Sequence, residues 1–189
     1  PGLQTCALQH YDFNQVPFGT AATLRAAITA EAASFLLEPV QGEGSLRDFP
    51  EDIIRLLRRI YASKDLLLVL DEVQTGVGHT GKLFAHEWSG ITPDIMAAAK
   101  GIGGGFPTGA CLATAEAPKG LVAGVHGTTS ARNPLAMAVG NAVLDVVLAG
   151  GLLENVQENA LSMKQGTSPF LPRSPKATLQ FSGRGPLHG

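Results

Sequence analysis

Two residues in this sequence place an acid and an amine at the ends of apolar runs. Asp71 closes LLLVLD, while Lys100 closes DIMAAAK and is followed by Gly101, Gly103, Gly104 and Gly105. A carboxylate at the end of a buried run is costly as an unpaired charge, and a protonated ring nitrogen of a ligand would serve as its partner. A lysine in a confined place loses its proton more readily and attacks an aldehyde, and the glycines after it let the backbone approach a ligand closely. An acid for a ring nitrogen and an amine for an aldehyde are the two protein groups that pyridoxal phosphate most requires. Each residue alone also has a plainer reading, Asp71 as a cap or turn residue and Lys100 as an exposed side chain. GIGGG has neither the spacing of a phosphate loop nor that of a dinucleotide fingerprint.

These residues need a scaffold, and the pattern around them predicts α/β: a mainly parallel sheet flanked by helices. Ser34 to Val40 is a short apolar run stopped by a proline, and Asp65 to Leu70 is the all-aliphatic pattern of a parallel strand covered on both faces. Between them Pro50 opens an amphipathic helix with Ile53, Ile54, Leu57 and Ile60 inward and Arg55, Arg58 and Arg59 on a solvated face. Upstream, Thr20 or Thr23 caps a helix carrying Leu24, Ala27 and Ile28. Leu83–Trp88 reads as a short helix, Asp94–Ala99 as a strand or a helix, and Ala110–Thr114 as a strand. Pro134–Leu148 is a helix by length and spacing, ended by Gly150 and Gly151, and Leu152–Met163 continues as another. From Gln165 onward prolines at 169, 172, 175 and 186 interrupt every period. The domain reading is therefore 1–165 as one partial ligand-binding domain and 166–189 as an irregular tail, the signature that a shifted reading frame leaves.

With 44% hydrophobic and 16% charged residues, the 189-residue chain reads as folded rather than disordered. A net charge of −2 without a basic stripe gives no reason to expect a nucleic-acid partner. Cys6 and Cys111 lie far apart without metal-ligand spacing, so no disulfide framework or structural zinc is expected. No signal peptide or span-length apolar run is seen, and a cytoplasmic setting is the expectation.

The segments LLEPVQGEGSLRDFP, LVLDEVQTGVGHTGKLFAHEWSGITPDIMAAAKGIGGGFPTGACLAT and HGTTSARNPLAMA resemble those of the class III, pyridoxal-phosphate-dependent aminotransferases, and within them the acetylornithine branch. The resemblance covers about Phe13 to Ala160 and implies part of the large domain of a fold-type I enzyme. It implies that Asp71 holds the pyridine nitrogen, that Lys100 forms the Schiff base and moves the proton, that Val73 packs on the ring, and that Gln74 lies near the phenolic oxygen. It further implies that Thr129, with Thr128 beside it, reaches a cofactor phosphate in the opposite subunit of a homodimer. Glu38 resembles a glutamate that pairs with an active-site arginine; its local alternative is a strand-end carboxylate bonded to neighbouring backbone. His126 reads as a structural residue of its turn rather than a general base.

The implied activity is transfer of an amino group from N-acetylornithine to 2-oxoglutarate, in arginine biosynthesis. Ornithine, succinylornithine, 4-aminobutyrate and other ω-amino donors are alternatives, as is a catalytically silent fragment. The family is about twice as long as this chain, and its phosphate-holding turn, stacking aromatic and substrate-carboxylate arginine have no counterpart here. His79 stands where the family usually has arginine. Ser130, Ala131 and Arg132 stand where it commonly has Tyr-Gly-Gly, which predicts strain in the turn that presents Thr129.

Overall fold

In the computed structural model, residues 14–18, 20–43, 46–117, 119 and 133–167 are described. Four strands form one sheet in the order β1 (Ser34–Leu37), β4 (Leu67–Asp71), β5 (Ile95–Ala98) and β6 (Ala110–Ala113). β1 pairs with β4, and β4 with β5, in parallel, whereas β6 runs antiparallel to β5. The sheet is thus mainly parallel, and the carboxyl ends of β1, β4 and β5 share one edge. In open α/β sheets that is the edge where ligands collect.

The crossover from β1 to β4 carries α2 (Glu51–Ser63), which starts after Pro50 with Glu51 and Asp52 in its first turn, where negative charge is favoured. Ile54, Leu57 and Tyr61 of α2 join Leu37, Leu68 and Leu70 in a buried cluster completed by Leu24 and Phe49. Leu68 and Leu70 have 0% exposure. Their neighbours Leu67 and Val69 point the other way and are only partly covered, and Leu36 is 50% exposed. Coverage of both faces, as expected from the aliphatic run, is therefore not what the described residues show: α2 buries one face, and no second layer among them covers Leu36.

Helix α1 (Ala21–Ala26) is capped by Thr20, whose side chain accepts the Thr23 N–H, and it delivers Leu24 to the core. The turn-like segment after Glu38 holds a small antiparallel pair, β2 (Val40–Gln41) with β3 (Arg47–Asp48), which the residue pattern does not announce. The arginines of α2 also depart from a uniformly solvated face. Arg58 reaches across to the start of β5 and donates to Asp94 at 2.6 Å, while the same carboxylate oxygen accepts Leu68 N–H at 2.7 Å. Asp94 thereby joins α2, β4 and β5.

Helix α3 (Pro134–Leu148) has Pro134 in its first turn, and Asn133 Oδ1 accepts from Leu135 N at 3.0 Å and Ala136 N at 3.3 Å. After Gly151, with φ +95°, α4 (Leu152–Thr167) follows. It runs past the expected end at Met163, since Lys164 and Gln165 are good helix formers. No single helix among the described residues is long and apolar enough to cross a membrane, and α3 with α4 bends by 63° at their break.

Candidate functional site

The three parallel strands deliver their following residues to one place. Glu38 follows β1, Asp71 ends β4 opposite Ala97 of β5, and Lys100 comes two residues after β5. Asp71 is half-buried, and its Oδ1 accepts the Val73 N–H at 2.9 Å. That local bond turns the chain sharply out of the strand and sets Val73 and Gln74 beside the strand end.

The next carboxylate holds this turn in place. Glu72 is completely buried and faces away from Asp71; its Oε2 accepts from Ala85 N at 3.0 Å and from the Thr75 hydroxyl, and its Oε1 accepts from His86 N at 2.8 Å and His86 Nδ1 at 3.1 Å. Burial alone would raise its pKa, but the donors from His86, Thr75 and Ala85 outweigh that and hold the carboxyl below the ordinary carboxylate value. The residues 73–84 are thus clamped at both ends by one side chain. The sequence pattern gives no sign of it, because Glu72 adjoins Asp71 and its partners lie 13 and 14 positions on.

Within the clamped segment Gly76 is required by space: a Cβ there would stand 2.8 Å from the Glu72 carbonyl oxygen and 3.0 Å from the Phe84 ring. His79 sits between the two functional turns. Its Nδ1 donates to the Gly76 carbonyl at 2.8 Å, and its ring carbon would be 3.1 Å from a Cβ on Gly101. On the outer side, Gln157 of α4 donates to the Gly81 carbonyl at 2.5 Å, so the second helix pair braces the same segment.

Lys100 opens a short 3-10 turn, Lys100–Gly103, with φ +50°, and Gly104 closes it with φ +52°. A non-glycine residue in the left-handed region costs about 1 kcal/mol and is held only where the surroundings require it. Here the surroundings are α3, packed on this turn, and Gln74, whose Oε1 accepts from the Lys100 amine. Lys100 is exposed among the described residues, in contrast to the confined lysine that the pattern suggests. Its amine is oriented by one amide, and no apolar wall around it is described.

Glu38 accepts the Gly42 N–H at 3.2 Å through Oε2, which is the local backbone contact given above as its alternative. Thr128 and Thr129 lie outside the described residues, as do His126 and the Ser130, Ala131 and Arg132 departures. Asp71, Val73, Gln74 and Lys100 are brought together. A hollow of about 370 Å³ lined by Arg58, Leu67, Asp94, Glu116 and Lys119 lies at the opposite, amino ends of β4 and β5. Four of its charged residues are engaged in pairs, Arg58 with Asp94 and Lys119 with Glu116.

A carboxylate and an amine at adjacent strand ends, with a valine and an amide on the turn between them, suit a ligand that has a basic ring nitrogen at one side and an aldehyde at the other. Such a pair fits an α/β protein that binds an aldehyde cofactor. The family model for class III aminotransferases matches residues 7–188, and the chain belongs to that family, which works with pyridoxal phosphate. The match runs through residues 168–188, which the residue pattern reads as an irregular tail.

Among its relatives, an acetylornithine aminotransferase of Brucella melitensis is 68% identical over 177 residues, covering 94% of this chain and 44% of that protein. One of Agrobacterium fabrum is 59% identical over the same coverage. The chain therefore spans less than half the length of these relatives. The structure is similar to an ornithine δ-aminotransferase of Plasmodium falciparum, with TM-score 0.83 and 31% identity over 92% of this chain and 45% of that one. It is equally similar to an acetylornithine aminotransferase of Elizabethkingia anophelis, with TM-score 0.83 and 32% identity over 92% and 44%.

Proposed function

We propose that the protein to which these residues belong transfers the terminal amino group of N-acetylornithine to 2-oxoglutarate, as one step of arginine biosynthesis in the cytoplasm. The observation that carries the transaminase reading is the placement of Asp71 and Lys100 at adjacent carboxyl ends of parallel strands, with the Lys100 amine held by Gln74. The choice of donor follows the 68% identity to a protein named for acetylornithine.

In this reading bound pyridoxal phosphate supplies the electron sink that lets an amino group leave one substrate and join another. Asp71 offers an anion to the ring nitrogen and keeps it protonated, and its bond to Val73 N fixes the carboxylate's direction. Val73 would pack on the ring, and Gln74 would serve its phenolic oxygen. Lys100 would be the amine that holds the cofactor's aldehyde until a substrate amine displaces it, and the freed amine would then be placed to move a proton at the substrate's reacting carbon. Glu38 meets the substrate side of the site, and Thr128 and Thr129 serve the phosphate of the other subunit in a homodimer.

The test is direct. The chain is mixed with pyridoxal phosphate, its visible absorbance followed, and the mixture reduced with borohydride and digested. A cofactor-sized mass on Lys100, lost in Lys100→Ala, is the expected result; no adduct on Lys100 overturns cofactor binding by this chain. A second reading, a fragment that keeps part of the fold but neither binds cofactor tightly nor turns over, is favoured by the exposure of Lys100. It predicts no adduct at Lys100 beyond the level found on another exposed lysine, Lys64.

A further inference from the structure

Gly42 lies in the segment LLEPVQGEGSLRDFP and contacts Glu38, yet it also adjoins the residue that holds the lysine. It follows β2, and its N–H is fixed by Glu38 Oε2 at 3.2 Å. A Cβ built on Gly42 would stand 3.2 Å from Gln74 Cγ, with Gln74 Cδ at 3.7 Å and Cβ at 3.8 Å. All three nearest atoms belong to the one side chain whose Oε1 accepts from Lys100 Nζ. Unlike Gly78, Gly81 and Gly104, Gly42 does not have a positive φ. Its lack of a side chain answers a need for space against Gln74, not a need for a special backbone conformation.

We infer that Gly42 is a positioning residue for Lys100, acting through Gln74, so that Glu38, Gly42, Gln74 and Lys100 form one continuous support from the end of β1 to the end of β5. Glu38 pins the Gly42 backbone, the bare Cα of Gly42 seats the Gln74 chain, and Gln74 orients the amine. The 3.2 Å contact is closer than ordinary van der Waals separation, so even a methyl group at position 42 displaces Gln74 by a few tenths of an ångström. Hydrogen bonds weaken steeply with misalignment, so a shift of that size at the amide loosens the lysine. The inference gives Gly42 a bearing on the proposed chemistry and rests on that reading for its functional meaning. The physical linkage stands without it.

The experiment measures Lys100 directly, without cofactor. Reductive methylation by formaldehyde and cyanoborohydride is followed peptide by peptide, with the exposed Lys64 as internal reference, in the parent chain, Gly42→Ala, Gln74→Ala and the double variant. Freed from Gln74, the Lys100 amine is expected to react about threefold to tenfold faster in both single variants, the range that one displaced side-chain rotamer produces. The double variant is expected to match Gln74→Ala alone, because alanine at 74 has no Cγ for the new methyl to meet. An unchanged Lys100 rate in Gly42→Ala, or a Gly42→Ala effect that persists in full on the Gln74→Ala background, overturns the inference. A parallel arm with pyridoxal phosphate and borohydride separates the two readings. Loss of the cofactor adduct in the parent chain with the methylation pattern intact removes the functional reading and leaves the linkage.

Discussion

Glu72 and His86 are joined twice, through the His86 backbone N–H at 2.8 Å and its ring Nδ1 at 3.1 Å, both to the same carboxylate oxygen. With Ala85 N and the Thr75 hydroxyl on the other oxygen, a fully buried charge is satisfied by four donors. Replacement by glutamine sets an amide NH2 against N–H donors, and loss of the charged acceptor costs about 2–3 kcal/mol. Glu72→Gln is thus expected to lower the urea midpoint, and because Asp71, Val73 and Gln74 hang on this clamp it should also reduce adduct formation at Lys100. The pH dependence has a definite sign. A carboxyl held below its ordinary value contributes stability that is fully present above the unfolded value, near 4.5, and lost as pH falls through the folded value. Acid unfolding monitored by circular dichroism should lose this contribution in Glu72→Gln; parallel acid-stability curves for the two proteins would remove the role assigned to Glu72.

The ion pair of Arg58 with Asp94 is expected to respond unequally to its two deletions. Both side chains are about one-fifth exposed, so the charge attraction itself is worth about 1 kcal/mol or less. Asp94 also accepts the N–H of Leu68, a residue with 0% exposure. Asp94→Ala therefore strands a buried backbone donor and is expected to cost about 2 kcal/mol, against about 1 kcal/mol or less for Arg58→Ala. Chemical denaturation of the two variants decides it, and equal losses would count against the backbone contact as the larger element.

Gly104 closes the lysine turn under two constraints that can be separated. Its φ is +52°, and a Cβ would lie 2.7 Å from Val143 Cγ2 on α3. Gly90 has a similar φ of +63° with nothing within 4 Å. Gly90→Ala is expected to cost about 1 kcal/mol from conformation alone, and Gly104→Ala about 2–3 kcal/mol because α3 must also give way. On a Val143→Ala background the two penalties should converge. Thermal melts of the four variants measure this, and a Gly104→Ala penalty untouched by Val143→Ala would place the strain elsewhere.

What the sequence displays and what it hides follow from range. Asp71 and Lys100 are visible because each ends a run whose apolar character demands burial, and α3 is visible from the length and spacing of Pro134–Leu148 and the glycines at 150 and 151 after it, whereas its Asn133 cap is shown only by the structure. β5 is ambiguous in the sequence, since alanines at 97 to 99 carry no period, and its place is settled by pairing with β4. The reversed direction of β6 has no local signal; ACLA reads the same along either direction of its neighbour. The short pair Val40–Gln41 with Arg47–Asp48 hides in turn residues. The contacts that position the site are the least legible, because Gly42 with Gln74, Glu72 with His86 and Arg58 with Asp94 are each separated by many positions and made by residue types common on any surface.

Asp71 allows charge to be separated from shape. Its Oδ1 accepts the Val73 N–H at 2.9 Å, a bond that the side-chain carbonyl of asparagine can also make, so Asp71→Asn should preserve the turn and leave the melting temperature nearly unchanged. What the substitution removes is the anion that keeps a ring nitrogen protonated. In a full-length relative carrying this segment, turnover is expected to fall by about 100-fold or more, in the range of lost electrostatic stabilisation at a reacting site. Lys100 should still be trapped by borohydride in the same variant, because the amine and its Gln74 contact lie on the neighbouring strand end. Absorbance of the cofactor against pH gives the second readout, since the ring nitrogen should lose its proton at lower pH in Asp71→Asn than in the parent. Wild-type turnover together with an unshifted titration would show that Asp71 serves the turn alone.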